Sequence, residues 1–238
     1  MIYPPTPVMG ARLYWVRNQK GGVGKSTGAA SIHYLRRKMG EESVIVDTDP
    51  ANPDLFKSHA QSATAHCVSL DSEDGYTNLA GLIARTDEDI VISAPAGGQE
   101  LFERYAPVVD LVCRKRHRIV YLVWFIDPDI DSFINLEDSA AAVPYADVWV
   151  IRNLVFGPPE KFEAFNEHRI AQPIFKAGRV LDLPLVPAAV MRAFKSGRMS
   201  FNEILENGPE ETRSALEIWT PRAMHALRPL LGEYRAAL

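Results

Sequence analysis

The chain has 238 residues, between one and two typical domain lengths, and α/β sheets of this size commonly fold as one domain. Its 47% hydrophobic and 24% charged residues exclude a disordered polymer, and 26 basic against 30 acidic residues, a net charge of −4, argue against a uniformly basic nucleic-acid-coating protein while leaving room for a local basic patch. Cys67 and Cys113 form no CxxC, which excludes a zinc ribbon or a disulfide framework and fits a reducing, cytoplasmic setting.

Residues 1–10 contain three prolines and no basic stretch leading into an apolar run, so they do not read as a signal peptide. In chain order, apolar β-branched runs predict strands over 12–17, 43–47, 90–94, 118–126 and 147–151, with a sixth over 180–186. The run 119–126 is far shorter than the roughly 20 residues of a membrane span and reads as a buried strand. Helical patterns fall between the strands, over 26–39 (ending at Gly40), 76–85, 100–112, 131–142 and 159–169. A helical tail covers about 200–238. One helix is expected over 210–219, then a second starting at Thr220-Pro221 as N-cap and N1, with a kink at Pro229. Strands lacking polar alternation and separated by helices predict a doubly wound, mostly parallel α/β sheet in a single domain spanning 1–238.

The first strand runs into Asn18-Gln19-Lys20-Gly21-Gly22-Val23-Gly24-Lys25-Ser26-Thr27, and a helix opens at Ser26. Glycines at 21, 22 and 24 let backbone N–H groups approach phosphate oxygens with no Cβ in the way, and the helix N-terminus adds favourable charge. In this pattern Lys25 reaches the β and γ phosphates, the Ser26 hydroxyl ligates Mg²⁺, and Thr27 lies at the α phosphate.

The loop departs from GxxxxGK[ST] in having Gln19 for the first glycine and an extra lysine, Lys20, at its head. In this it resembles the deviant Walker A motif of the ParA/MinD ATPases. The resemblance implies ATP and Mg²⁺ as cofactors and a homodimer formed around ATP, in which Lys20 acts in trans on the partner's phosphates. The second strand ends in Asp47-Thr48-Asp49-Pro50, and both acids are expected to face the phosphates, with turn capping as the alternative for each. Asp49 matches the family's switch I aspartate, which implies that it orients the attacking water.

The third strand departs from the family. Its end, Ile92-Ser93-Ala94-Pro95-Ala96-Gly97-Gly98, puts Ser93 where the relatives carry the Walker B aspartate. A hydroxyl brings no negative charge to water around a divalent cation, so metal binding or turnover is expected to be weakened. Asp89 starts the same strand and is too far away to substitute. Asp127, ending the next strand, is either a replacement carboxylate or a cap for the helix after it. Gly97 and Gly98 supply a mobile switch II. Asn153 matches the family position that hydrogen-bonds adenine, and Pro187 leads a loop like the one beside the base. The stretch 152–162 and the long lead-in to the first strand resemble the TraL-type nucleotide-binding proteins of conjugative plasmids. The resemblance spans most of residues 11–197.

Residues 114–118, Arg-Lys-Arg-His-Arg, form the dense basic run. They are either a DNA-phosphate contact, extended by Arg192, Lys195 and Arg198, or cations complementing a helix C-terminus. The tail stripe Leu216, Trp219, Ala223, Leu227, Leu230 and Tyr234, with Arg222, Arg228 and Arg235 among it, is interrupted by Pro229 and reads as packing against the sheet rather than as a membrane anchor. The expected function is an ATP-dependent, slowly hydrolysing dimeric switch in plasmid partition, stability or conjugative transfer, acting on DNA or a DNA-bound partner protein. The alternative is a nucleotide-gated binding module with little or no turnover, because of Ser93.

Overall fold

The run Leu-Tyr-Trp-Val carries no alternating polar position to turn toward water, and with an arginine at each end it forms β1 (Arg12–Arg17), buried along its whole length in the middle of a seven-stranded sheet. The protein is described here from a computed structural model covering residues 10–62 and 64–232; the reading of residues 1–9 as leaderless, and the tail positions Tyr234 and Arg235, lie outside them. The other strands are β2 (Ser43–Asp47), β3 (Ala65–Cys67), β4 (Asp89–Ser93), β5 (Ile119–Ile126), β6 (Asp147–Asn153) and β7 (Val180–Leu183). They lie in the order β3-β2-β4-β1-β5-β6-β7, and every pairing is parallel. Parallel strands need crossovers, and the helices that make them cover both faces.

The pleat divides the apolar residues. Tyr14, Val16, Val123, Phe125 and Ile151 face α1 (Lys25–Lys38), α8 (Ala188–Lys195), α9 (Phe201–Asn207) and α10 (Glu210–Leu231). Leu13, Trp15, Ile90, Ile92 and Leu122 face α3 (Glu73–Arg85) and α4 (Gln99–Lys115). Trp124, Ile126 and Val150 build a third cluster with Phe133, Phe162 and Phe165, beside α5 (Leu136–Ala142), α6 (Glu163–Asn166) and α7 (Ala171–Lys176).

Three expected helices differ, each for a visible reason. Over 131–142 the helix begins only at Leu136, after a 3₁₀ turn at Ile130–Ser132. The Ser132 carbonyl, which a continuous helix would use internally, instead accepts Asn18 Nδ2 and Trp124 Nε1 at 2.5 and 2.7 Å. Over 159–169 the pair Pro158-Pro159 opens a 3₁₀ turn, and only Glu163–Asn166 is α-helical. In the tail, Thr220-Pro221 does not start a new helix: α10 is one helix of 22 residues with both prolines inside it. Thr220 Oγ1 donates to Leu216 O at 2.7 Å and meets Tyr34 Oη at 2.8 Å, so it sits mid-helix instead of capping. A proline inside a helix costs about 3 kcal/mol, and burial of Leu216, Trp219, Ala223, Leu227 and Leu230 along one stripe offsets it. The short α2 (Asp54–Ser58) and the edge strand β3 had no periodic signal in the sequence.

At the amino ends of the strands Asp89 is fully engaged. It accepts the Arg12 backbone N–H at 2.6 Å and pairs with Arg36 Nη2 at 2.6 Å, while Arg36 Nη1 donates to Leu231 O. This locks β1, β4, α1 and α10 at the edge remote from the glycine loop.

Candidate nucleotide-binding site

The loop between β1 and α1 is fastened from both sides. Asn18 Nδ2 donates to Phe125 O at 2.6 Å and to Ser132 O, while its Oδ1 accepts the Lys20 N–H at 2.7 Å. From the end of β6, beyond β5, Asn153 Nδ2 donates to Val23 O at 2.9 Å. The Gly97 N–H donates to Gln19 O, tying the loop to the segment after β4. Gly22 and Gly24 have φ of 80° and 102°, the left-handed region where a side chain is strained, and Gly24 caps α1.

The loop lines a cavity of about 280 Å³ whose wall includes Gly21, Gly22, Gly24, Lys25, Ser26 and Thr27, faced by Asp49, Asn52 and Asp54 from the β2–α2 segment. Lys25 is only 8% exposed, and among the described residues it forms no ion pair; Nζ donates to Lys20 O at 2.8 Å. Burial, with the Arg17 charge nearby, pushes its ammonium down to about 8. A buried cation without a carboxylate, beside backbone amides and glycines that leave space, is a fit for a phosphate chain.

Asp49 lines the cavity, its Oδ1 accepting the Asn52 N–H at 3.0 Å. Asp47 does not line it, which corrects the expectation that both acids face the phosphates. Its oxygens accept the Phe56 and Asp49 N–H groups at 3.0 and 3.2 Å, so it holds the turn that presents Asp49 and the start of α2. Burial pushes the Asp47 carboxyl up to about 6. Ser93 is buried and stands directly across from Asp47 in the β2–β4 ladder. The cavity wall on that side is made by Ala94 and Ala96 instead. Gly97 and Gly98 both have positive φ, and Gly98 caps α4.

Lys20 is turned away from the cavity. Its Nζ lies 2.7 Å from carboxylate oxygens of both Asp127 and Asp129 in the same chain. Asp127 is therefore engaged by a lysine and by the Asp129 N–H, at 3.0 Å.

A second cavity of about 250 Å³ adjoins the first and shares Gly22, Gly24, Thr27 and Lys195 with it. Its remaining wall is Asn153, Val155, Phe156, Leu185, Val186 and Met191, an apolar slot with one amide, the composition a base requires. Asn153 lines this slot, with Nδ2 donating to Val23 O and Oδ1 accepting the Val155 N–H at 3.3 Å. Pro187 is not part of the wall; it sets the start of α8 between Val186 and Met191.

The basic run and α8 do not form one patch. Arg114 and Lys115 end α4, Arg116 pairs with Asp87, and Arg118 is 2% exposed, donating to Glu88 O and Thr86 O. These residues lie at the amino ends of the strands, whereas Lys195 lies at the carboxyl ends.

Residues that sequence reading missed include Asn18 and Arg17. Arg17 is 1% exposed, stacks 3.8 Å from the Phe102 ring centroid, and donates to Gln99 Oε1, which anchors the first turn of α4 to β1. The signal that marked them is a polar pair directly after the apolar run 13–16.

An all-parallel sheet carrying a glycine loop between β1 and α1 is the architecture of P-loop nucleotide-binding proteins, and the fold is that of the MinD/ParA-type P-loop ATPases. Among solved structures it is similar to the MinD cell division protein of Aquifex aeolicus, at 15% identity, a TM-score of 0.54 and coverage of 90% of this chain and 97% of that one. It is also similar to a nucleotide-binding protein from Archaeoglobus fulgidus in complex with ADP, at 18% identity, a TM-score of 0.52 and coverage of 84% and 92%. Among characterised sequences it is 29% identical over 228 residues to protein MobD of Acidithiobacillus ferrooxidans, covering 94% of this chain and all of that one. It is 30% identical over 86 residues to protein TraL of Escherichia coli, a stretch that is 34% of this chain and 35% of TraL. No family model matches the chain.

Proposed function

We propose that the protein is an ATP-binding switch that dimerises around MgATP, hydrolyses it slowly, and acts on DNA or a DNA-bound partner in conjugative transfer or plasmid maintenance. The observation that carries this reading is the continuous pair of cavities. One end has glycine amides and the buried Lys25 for phosphates, and the other has an apolar slot for a base. The full-length likeness to MobD, and the partial one to TraL, supports the conjugative setting.

In this mechanism the loop amides and Lys25 hold the β and γ phosphates, and Thr27 sits at the α phosphate. Ser26 would hold Mg²⁺ through its hydroxyl, and the bound metal would supply positive charge beside the transferring phosphoryl group. Asp49, held by Asp47 and the Asn52 N–H, orients the attacking water. Because most of such catalysis is positioning, the absence of a carboxylate at Ser93 makes turnover slow rather than nil. Lys20 leaves Asp127 and Asp129 to meet the partner's phosphates when two subunits close.

The experiment is calorimetric titration of the full chain with MgATP, followed by phosphate release with and without DNA, with Lys25→Ala as control. Binding with slow release supports the switch. Binding with release no faster than the control favours the nucleotide-gated module, the reading that Ser93 motivates. A chain that takes up no nucleotide overturns both.

A further inference from the structure

The phosphate-end and base-end cavities meet at a waist formed by Gly22, Gly24, Thr27 and Lys195. Three of these belong to the loop and its helix; Lys195, the last residue of α8, comes from the opposite wall, more than 160 positions along the chain. Among the described residues Lys195 forms no ion pair, although Asp49 and Asp54 line the same cavity. The Lys195 side chain is exposed, while the helix that carries it is anchored by packing. Val190 and Phe194 of α8 are buried in one cluster with Phe201 of α9 and Trp219 of α10. A ligand that fills both cavities has to pass its α phosphate through this waist, between the Thr27 side and the Lys195 side.

We propose that Lys195 is a nucleotide-binding residue that closes over the α phosphate of a nucleoside di- or triphosphate from the wall opposite the glycine loop. This rests on the nucleotide reading above and adds a contact that the loop motif does not contain. A lysine on a rigid helix end supplies a point charge to a phosphate without demanding bidentate geometry.

Binding of MgADP to the full-length wild type, Lys195→Ala, Lys195→Arg and Lys25→Ala is measured by calorimetry at several salt concentrations, with the melting midpoint of each apo variant. Lys195→Ala is expected to weaken MgADP about tenfold, with a shallower salt dependence and an unchanged apo melting midpoint, and Lys195→Arg to restore most of the affinity. Wild-type affinity in Lys195→Ala overturns the proposal alone. So does a loss that arginine does not rescue and that accompanies a lowered apo melting midpoint. A wild type that does not bind MgADP, or a Lys25→Ala that binds as tightly, overturns the nucleotide reading with it.

Discussion

Lys20 Nζ and Asp127 Oδ2 lie 2.7 Å apart within one chain, with Asp129 Oδ2 at the same distance from the ammonium. One ammonium cannot hold these two carboxylates and also reach across a dimer to phosphate. In the proposed dimer the pair would therefore oppose closure, and the Asp127 side chain, 9% exposed against 26% for Lys20, is the more buried member. Asp127→Asn is expected to shift ATP-dependent dimerisation, followed by light scattering, to several-fold lower MgATP, since the charge holding Lys20 is reduced. Lys20→Ala is expected to stay monomeric at all concentrations. Dimerisation of Lys20→Ala at wild-type MgATP would show that this lysine has no role in trans.

Restoring a carboxylate at position 93 sets chemistry against folding. Ser93 faces Asp47 across the ladder, and Asp47 is already pushed up to about 6 by burial. A second acid there is expected to lower stability by about 1–3 kcal/mol, read by denaturant unfolding. In the fraction that folds, Mg²⁺-dependent phosphate release is expected to rise about tenfold or more, a barrier change of ~1.4 kcal/mol. Unchanged release in a folded Ser93→Asp chain would remove Ser93 as the cause of slow turnover.

Gly24 combines a φ of 102° with a Cβ position that overlaps Asn153 Nδ2. Gly24→Ala must both strain the backbone and break the Asn153 bond to Val23 O that fastens the loop. The expected result is a stability loss of about 1–3 kcal/mol and at least tenfold weaker MgATP binding. Gly40→Ala serves as the comparison: it also has positive φ, with nothing within 4 Å of its Cβ, so it should carry backbone strain without touching the site.

Acid sensitivity should originate away from the site. His33 is 4% exposed, with Nδ1 2.7 Å from Ser43 Oγ and its ring edge-on to His59 at 5.1 Å. Burial first, then the charges of His59 and Arg37, push it down to about 3. The unfolded chain takes that proton near pH 6.5, so between about pH 6.5 and 3 the unfolded state binds more protons than the native one. Stability should fall as pH drops through that window. Denaturation midpoints compared at about pH 7 and pH 5 should show a smaller decline in His33→Gln than in the wild type. Equal declines would place the acid sensitivity elsewhere.

The sequence by itself determined what local chemistry determines. Apolar runs without alternation had to be buried strands, and the parallel sheet follows from the helices between them. The loop Lys20–Ser26 had to lie between a strand and a helix, because its glycines and lysines suit one backbone shape. Asp49 was legible because it follows a strand end. What the tertiary structure decided are relationships between distant positions. Asp47 and Ser93 become neighbours only through strand register, and Asp47 turns out to cap a turn rather than face the cavity. Asn18 ties the loop to β5 and Asn153 ties it to β6. The cations at 114–118 and 195 separate to opposite ends of the sheet. Thr220-Pro221, a helix start by local rules, is overridden by an apolar stripe that continues through it against the core. Local preference is worth a kilocalorie or a few per residue, and burial of a whole stripe exceeds it, so where the two conflict only the folded packing settles the outcome.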